Sequence, residues 1–186
     1  MTRRFPWLTL VVFATTSAVT AAMYVWPQIG PALERDPAML HGEWWRFVTT
    51  WLVLTDGWPQ IVINSVGLLA FGIGVERQIG RLWWGIGYIV AGLAGEVAGI
   101  FWQPVGGGNS VAICGLIGLY SIWQMGRKEL PTVAQYLSTV VWGAIGLWLF
   151  FTADIHGAAL LAGFGVGGVA FVLDDRREQA QAKPGT

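Results

Sequence analysis

The sequence predicts an all-α, polytopic membrane protein: a bundle of six membrane-spanning helices with an aromatic first loop in the outer leaflet. Three observations predict it. The 186 residues are 54% hydrophobic and 12% charged, where soluble domains run near a quarter charged. Six stretches are long and apolar enough to cross a bilayer, which takes ~20 residues. Basic residues also gather on one side of those stretches. The eleven basic and eleven acidic residues cancel, so there is no positive field to hold nucleic acid. A single cysteine, Cys114, excludes a disulfide framework and a Cys-based zinc site. His41 and His156 are the only histidines, so no multi-histidine metal centre is expected. Neither a metal nor an organic cofactor is expected.

The expected spans are residues 7–26, 59–75, 82–102, 110–125, 132–151 and 154–173. The first follows Arg3 and Arg4 and contains small residues, as a signal peptide would. Its apolar run is longer than a signal core and ends in Tyr24 and Trp26, which suit a membrane interface, so it is read as an uncleaved span. Residues 37–58 hold Trp44, Trp45, Phe47, Trp51 and Trp58 among His41, Glu43, Arg46 and Asp56. They predict a hairpin or short helices lying in the outer leaflet, an ordinary interfacial belt being the alternative. The later spans are Gly-rich, which membrane helices tolerate. The remaining chain is too short for a second domain, so residues 1–175 are read as one membrane domain. Residues 176–186, charged and then ending in Pro and Gly, read as a disordered cytoplasmic tail.

Arg3, Arg4, Arg77, Arg81, Arg127, Lys128, Arg176, Arg177 and Lys183 fall on one side of these spans, and only Arg35 and Arg46 on the other. The positive-inside rule then puts both termini in the cytoplasm of a cell (plasma or inner) membrane.

Polar groups within spans are costly and are functional candidates by default. With this topology Gln60, Asn64, Ser110 and His156 share one depth, on the outer side, on three different helices. A Ser and a His brought together are the minimum for nucleophilic acyl transfer, the imidazole taking the hydroxyl proton. Ser110 follows Gly106, Gly107 and Gly108 and opens a helix, whose free N–H groups and positive end suit a developing oxyanion. Gln60 and Asn64, four apart, share a helix face and can add side-chain donors. Asp154 is read as a helix cap pointing to a different face from His156, so no carboxylate is expected to orient the imidazole. Small residues at Ser110, Cys114 and Gly118, and at His156, Ala159, Gly163 and Gly167, predict close packing of the fourth and sixth spans. The plainer alternatives are Ser110 as a helix cap, and His156 and Asn64 as interhelical hydrogen bonders. Glu96 reads as protonated or bonded within the bundle, a proton relay being the sharper alternative. The glycine run lacks the Gly-Lys-Ser/Thr ending of a phosphate loop, so nucleotide binding is excluded.

Glu43-Trp44-Trp45-Arg46, Gly57-Trp58 followed by Gln60 and Asn64, Gly72-Ile73-Gly74-Val75-Glu76-Arg77 with Gly80 and Arg81, Gly108-Asn109-Ser110, and His156-Gly157-Ala158-Ala159 stand in one order along six spans. Together they resemble the rhomboid family of intramembrane serine proteases, over about residues 42–168. The resemblance implies Ser110 as nucleophile, His156 as general base of a dyad, and Asn64 with the Ser110 N–H as oxyanion donors. It also implies a transmembrane protein substrate cut near its outer end, with the lipid bilayer as the medium. Gln60 stands where the family carries His, Val111 where it carries Gly after the nucleophile, and Cys114 where it is often aromatic. These differences motivate one alternative, an inactive pseudoprotease that binds membrane helices. The other alternative is a small transporter or channel, which would need polar groups through the whole membrane depth, Glu96 among them.

Overall fold

In hydrocarbon every backbone N–H and C=O must find its partner within the chain, which for a single apolar segment means a helix. The computed structural model describes residues 5–125 and 133–182, with side chains through Arg176. Its long elements are all helices: α1 (Trp7–Val25), α2 (Gly57–Gln78), α3 (Arg81–Trp102), α4 (Ser110–Met125), α5 (Val133–Phe151) and α6 (Ile155–Ala182). All but α4 are long and apolar enough to cross a membrane, and α4 is shorter at 16 residues. A π-type turn at Leu68–Gly72 interrupts α2 without ending it. Arg3, Arg4, Arg127, Lys128, Thr132 and Lys183 lie outside the described residues.

The most enclosed helix is α4, with α3 and α6 packed on it and α5 packed on α4 and α6. Missing side chains allow that closeness. A Cβ on Gly163 of α6 would overlap the backbone of Gly115, one on Gly118 the carbonyl of Leu160, and one on Gly167 the backbone at Leu119. Gly115, rather than Cys114, is therefore the small residue of α4 in this seam. One residue is a 100° turn, which swings Cys114 out to line a groove instead.

The N-terminus of α1 has no side-chain cap of its own. Buried Glu76 supplies one from α2, accepting from the N–H groups of Leu8 (3.0 Å) and Thr9 (2.9 Å) and from the Thr9 hydroxyl (2.9 Å). A carboxylate at a helix start satisfies orphan donors and faces the positive dipole end. Arg81 pairs with Glu76 (3.3 Å) and holds the Phe5 carbonyl (3.0 Å). At the other end of α1, Tyr24 stacks on Trp58.

Between α1 and α2 the chain makes short helical turns at Ile29–Leu33, Pro37–His41, Arg46–Thr49 and Thr50–Leu52. Trp44, Trp45 and Trp58 are exposed, as membrane anchors would be, but Trp51 is buried over Gly92 of α3. Its indole N–H donates to Glu96 (3.1 Å), whose other oxygen accepts from Arg35 (2.7 Å). Glu96 is thus an internal anchor for this segment.

α6 continues to Ala182, past residue 176 where the tail is expected to begin. Asp174 to Ala182 is rich in Arg, Glu, Gln and Ala, all good helix formers, and Pro184 follows soon after.

Candidate active site

Ser110 is placed by the loop that precedes it. Gly106 exchanges backbone hydrogen bonds with Arg35 (2.8 and 3.2 Å), Gly107 donates to the Thr55 hydroxyl (3.1 Å), and Gly108 donates to the Thr50 carbonyl (2.9 Å). Gly106 and Gly108 hold φ of +147° and +143°, which side chains rarely allow. Ile113 N–H makes the bond back to Asn109 (2.9 Å). The N–H groups of Ser110, Val111 and Ala112 precede it and have no carbonyl of the helix to bind.

His156 is placed by an equally tight turn. Ala153 N–H donates to Phe150 (3.1 Å) and Asp154 N–H to Leu149 (2.9 Å), a paired C-terminal closure of α5 with Ala153 left-handed at φ +58°. Gly157, lacking a Cβ, lets α6 start against the Phe150 backbone. Ala153→Gly is expected to raise stability by about 1 kcal/mol, read as a higher denaturation midpoint, since glycine has no left-handed penalty.

These two turns bring His156 Nε2 to 2.8 Å from Ser110 Oγ. On the other side of the ring, Nδ1 is 2.6 Å from Asp154 Oδ1, which also accepts from the His156 backbone N–H (2.9 Å). Asp154 does cap α6, as expected. The expectation that no carboxylate orients the imidazole is overturned. The facing rule behind it applies inside a helix, and Asp154 lies just before one, so its side chain folds back over the first turn. The hydrogen bond from the His156 ring holds the Asp154 carboxyl below the usual carboxylate range.

Asn64 is buried and donates to Asn109 Oδ1 (3.0 Å), and the Tyr88 side chain lies beside Asn109. Neither Asn109 nor Tyr88 was expected at the site. The one available signal was an Asn directly before a helix-opening Ser. Gln60 does not offer its amide to the nucleophile. Both its N–H groups have partners, the Gly107 carbonyl (2.7 Å) and Asp56 Oδ2 (3.1 Å). It braces the glycine loop instead.

A groove of about 760 Å³ opens beside Ser110 and His156. Its walls include Asn64, Gly67 and Phe71 of α2, Cys114 and Ile117 of α4, and Trp142 of α5. Val111 is not among them. Its side chain is buried against Gly95 of α3, away from the approach to Ser110.

A rhomboid domain model matches residues 41–176, spanning α2 to α5, most of α6, and both Ser110 and His156. The chain belongs to the rhomboid family. Among its relatives is YdcA of Bacillus subtilis (strain 168), 28% identical over 137 residues, covering 69% of this chain and 67% of that protein. RHOMBOID-like protein 6, mitochondrial, of Arabidopsis thaliana is 29% identical over 144 residues, covering 73% and 47%. Rhomboid protease GluP of Bacillus subtilis (strain 168) is 29% identical over 138 residues, covering 70% and 27%. The match thus spans two thirds of YdcA and less than half of the other two. This rhomboid chain is an integral, multi-pass membrane protein. Among its described residues no group of three His, Cys, Asp or Glu is placed to hold a metal ion.

Proposed function

We propose that this chain is an intramembrane serine protease that cleaves transmembrane proteins near the outer membrane face. The observation that carries the reading is the 2.8 Å approach of His156 Nε2 to Ser110 Oγ beside a mostly apolar groove. His156 takes the hydroxyl proton as Ser110 Oγ bonds to the scissile carbonyl carbon. The oxyanion is received by the N–H groups at the start of α4 and by the second amide hydrogen of Asn64. His156 then returns the proton to the leaving amine, and water activated by the same imidazole hydrolyses the acyl-enzyme. Gln60, in this reading, acts through the loop it braces.

The apolar walls on α2, α4 and α5 suit a segment arriving from lipid, with Ser110 and His156 where α2, α4 and α6 begin. Arg77 at the end of α2, Arg81 at the start of α3, and Arg176 in the last part of α6 lie at the opposite side of the bundle from Ser110 and His156. That distribution supports six spans, cytoplasmic termini in the cell membrane, and a site near the outer face. At 1.5 Å per residue α4 is only ~24 Å long, shorter than the ~30 Å hydrocarbon core, which supports a Ser110 sunk below the outer surface. Exposed Trp44, Trp45 and Trp58 suit an outer-leaflet position for the first loop. The buried pairing of Glu96 with Arg35 speaks against a channel.

The test is the full chain in liposomes with a fluorophosphonate probe and a single-span reporter protein. Labelling together with a cut near the reporter's outer end is the expected result. No labelling, while GluP labels in parallel, would sink the protease reading in favour of helix binding without cleavage.

A further inference from the structure

Proton transfer between Ser110 and His156 accounts for the protease chemistry and leaves Asp154 without a task beyond capping. Its geometry exceeds what a cap requires. A single oxygen, Oδ1, accepts from both the backbone N–H (2.9 Å) and the ring Nδ1 (2.6 Å) of His156. Asp154 is itself held from several sides. Its N–H is tied to Leu149, its carbonyl accepts from Gly157 (3.0 Å), and the Gln103 side chain reaches its carboxyl. Left-handed Ala153 immediately before it is a strained conformation, of a kind kept only where its surroundings over-determine it.

A carboxylate only accepts hydrogen bonds, so the proton between it and the ring sits on Nδ1. That leaves Nε2 bare, facing Ser110 Oγ. Without the carboxylate the neutral ring is free to place its proton on either nitrogen and to rotate about its side-chain bonds. We propose that Asp154 is a positioning residue that locks the His156 imidazole in the base-competent tautomer and orientation, so that the site works as a Ser–His–Asp triad. The carboxylate also faces the imidazolium that forms when Ser110 is deprotonated. This inference rests on the protease reading.

The test uses the full chain with Asp154→Ala and Asp154→Ser, following fluorophosphonate labelling against probe concentration and, separately, thermal unfolding. Ser is a good helix cap but too short to reach Nδ1. A capping role alone predicts that Ser recovers both the stability and the labelling lost in Ala. Positioning predicts that Ser recovers stability only. Its labelling rate constant at saturating probe then stays at least about tenfold below wild type, while the half-saturating concentration changes by less than about twofold. A Ser variant that labels within about twofold of wild type would overturn the proposal. So would a loss confined to the half-saturating concentration. A wild-type chain that does not label would instead remove the protease reading, and this proposal with it.

Discussion

His156→Ala is expected to slow fluorophosphonate labelling by about 10²–10⁴-fold, and Ser110→Ala to abolish it. A serine hydroxyl in its neutral form is a weak nucleophile, and the nearest proton acceptor is the ring nitrogen 2.8 Å away. Removing that ring leaves the rest of the site in place. The loop before Ser110 is held by Arg35, Thr50, Thr55 and Gln60, none of which touches His156. The ring is half-buried at the groove, so its loss opens no sealed cavity. Rate and stability should therefore separate: labelling falls by orders of magnitude while the unfolding temperature moves by a few degrees at most. Undiminished labelling in His156→Ala would mean the imidazole is not the base. Labelling that survives Ser110→Ala would place the nucleophile elsewhere.

Glu96→Gln is expected to cost about 3–5 kcal/mol of stability. Glu96 and Arg35 have side-chain exposures of 0% and 5%, so the pair is desolvated and neither charge can fall back on water. The carboxylate accepts from two donors at once, Arg35 and the Trp51 indole. An amide has one accepting oxygen, so one donor must then face an N–H, and the buried guanidinium loses its counter-charge without being able to shed its proton. Glu43→Gln is the contrasting control. Glu43 pairs with Arg46 at 2.6 Å, but its side chain is 38% exposed, and screening by solvent keeps the expected loss under about 1 kcal/mol. Denaturant titration of both variants in detergent checks the pair of expectations. Equal small losses would mean that the Arg35–Glu96 contact is hydrated. Because Arg35 also holds Gly106 and Gln103, Glu96→Gln should slow Ser110 labelling through the displaced loop, unlike Glu43→Gln.

Ser110 and His156 were legible because a membrane makes polar residues expensive and topology assigns each a depth. Four polar residues at one depth on three helices already point to a cluster. What each member does there was less legible. Gln60 and Asn64 share a helix face, yet Gln60 turns to the Gly107 carbonyl while Asn64 points to Asn109. Four-residue spacing gives a common side of a helix and cannot say which acceptor lies opposite. Val111 stands where the family carries glycine, one of the differences that motivated the pseudoprotease alternative. Its position, one residue after Ser110, sends its side chain to Gly95, and the glycine on α3 accommodates it. Tyr88 and Asn109 gave almost no signal, since their meeting depends on how α3 packs on α4.

The sequence alone determined the solvent of this protein, the helical class, the approximate limits of its apolar segments and the sidedness of its charges. Those follow from transfer free energies and hydrogen-bond closure, which are properties of segments and need no partner. It also carried the ordered motifs by which the family is identified. The tertiary structure alone decided that Trp51 is core rather than anchor, that Glu96 belongs to Arg35, that Gln60 braces a loop, and that Asp154 reaches the ring of His156. Each of those outcomes turns on a contact of 2.6–3.1 Å. Three are between residues far apart in the chain, and the fourth, Asp154 to His156, turns on one left-handed alanine at a helix junction. Hydrophobic patterning specifies which face of a helix is covered. Directional bonds between side chains depend on the position and rotation of both partners, and only the packed bundle sets those.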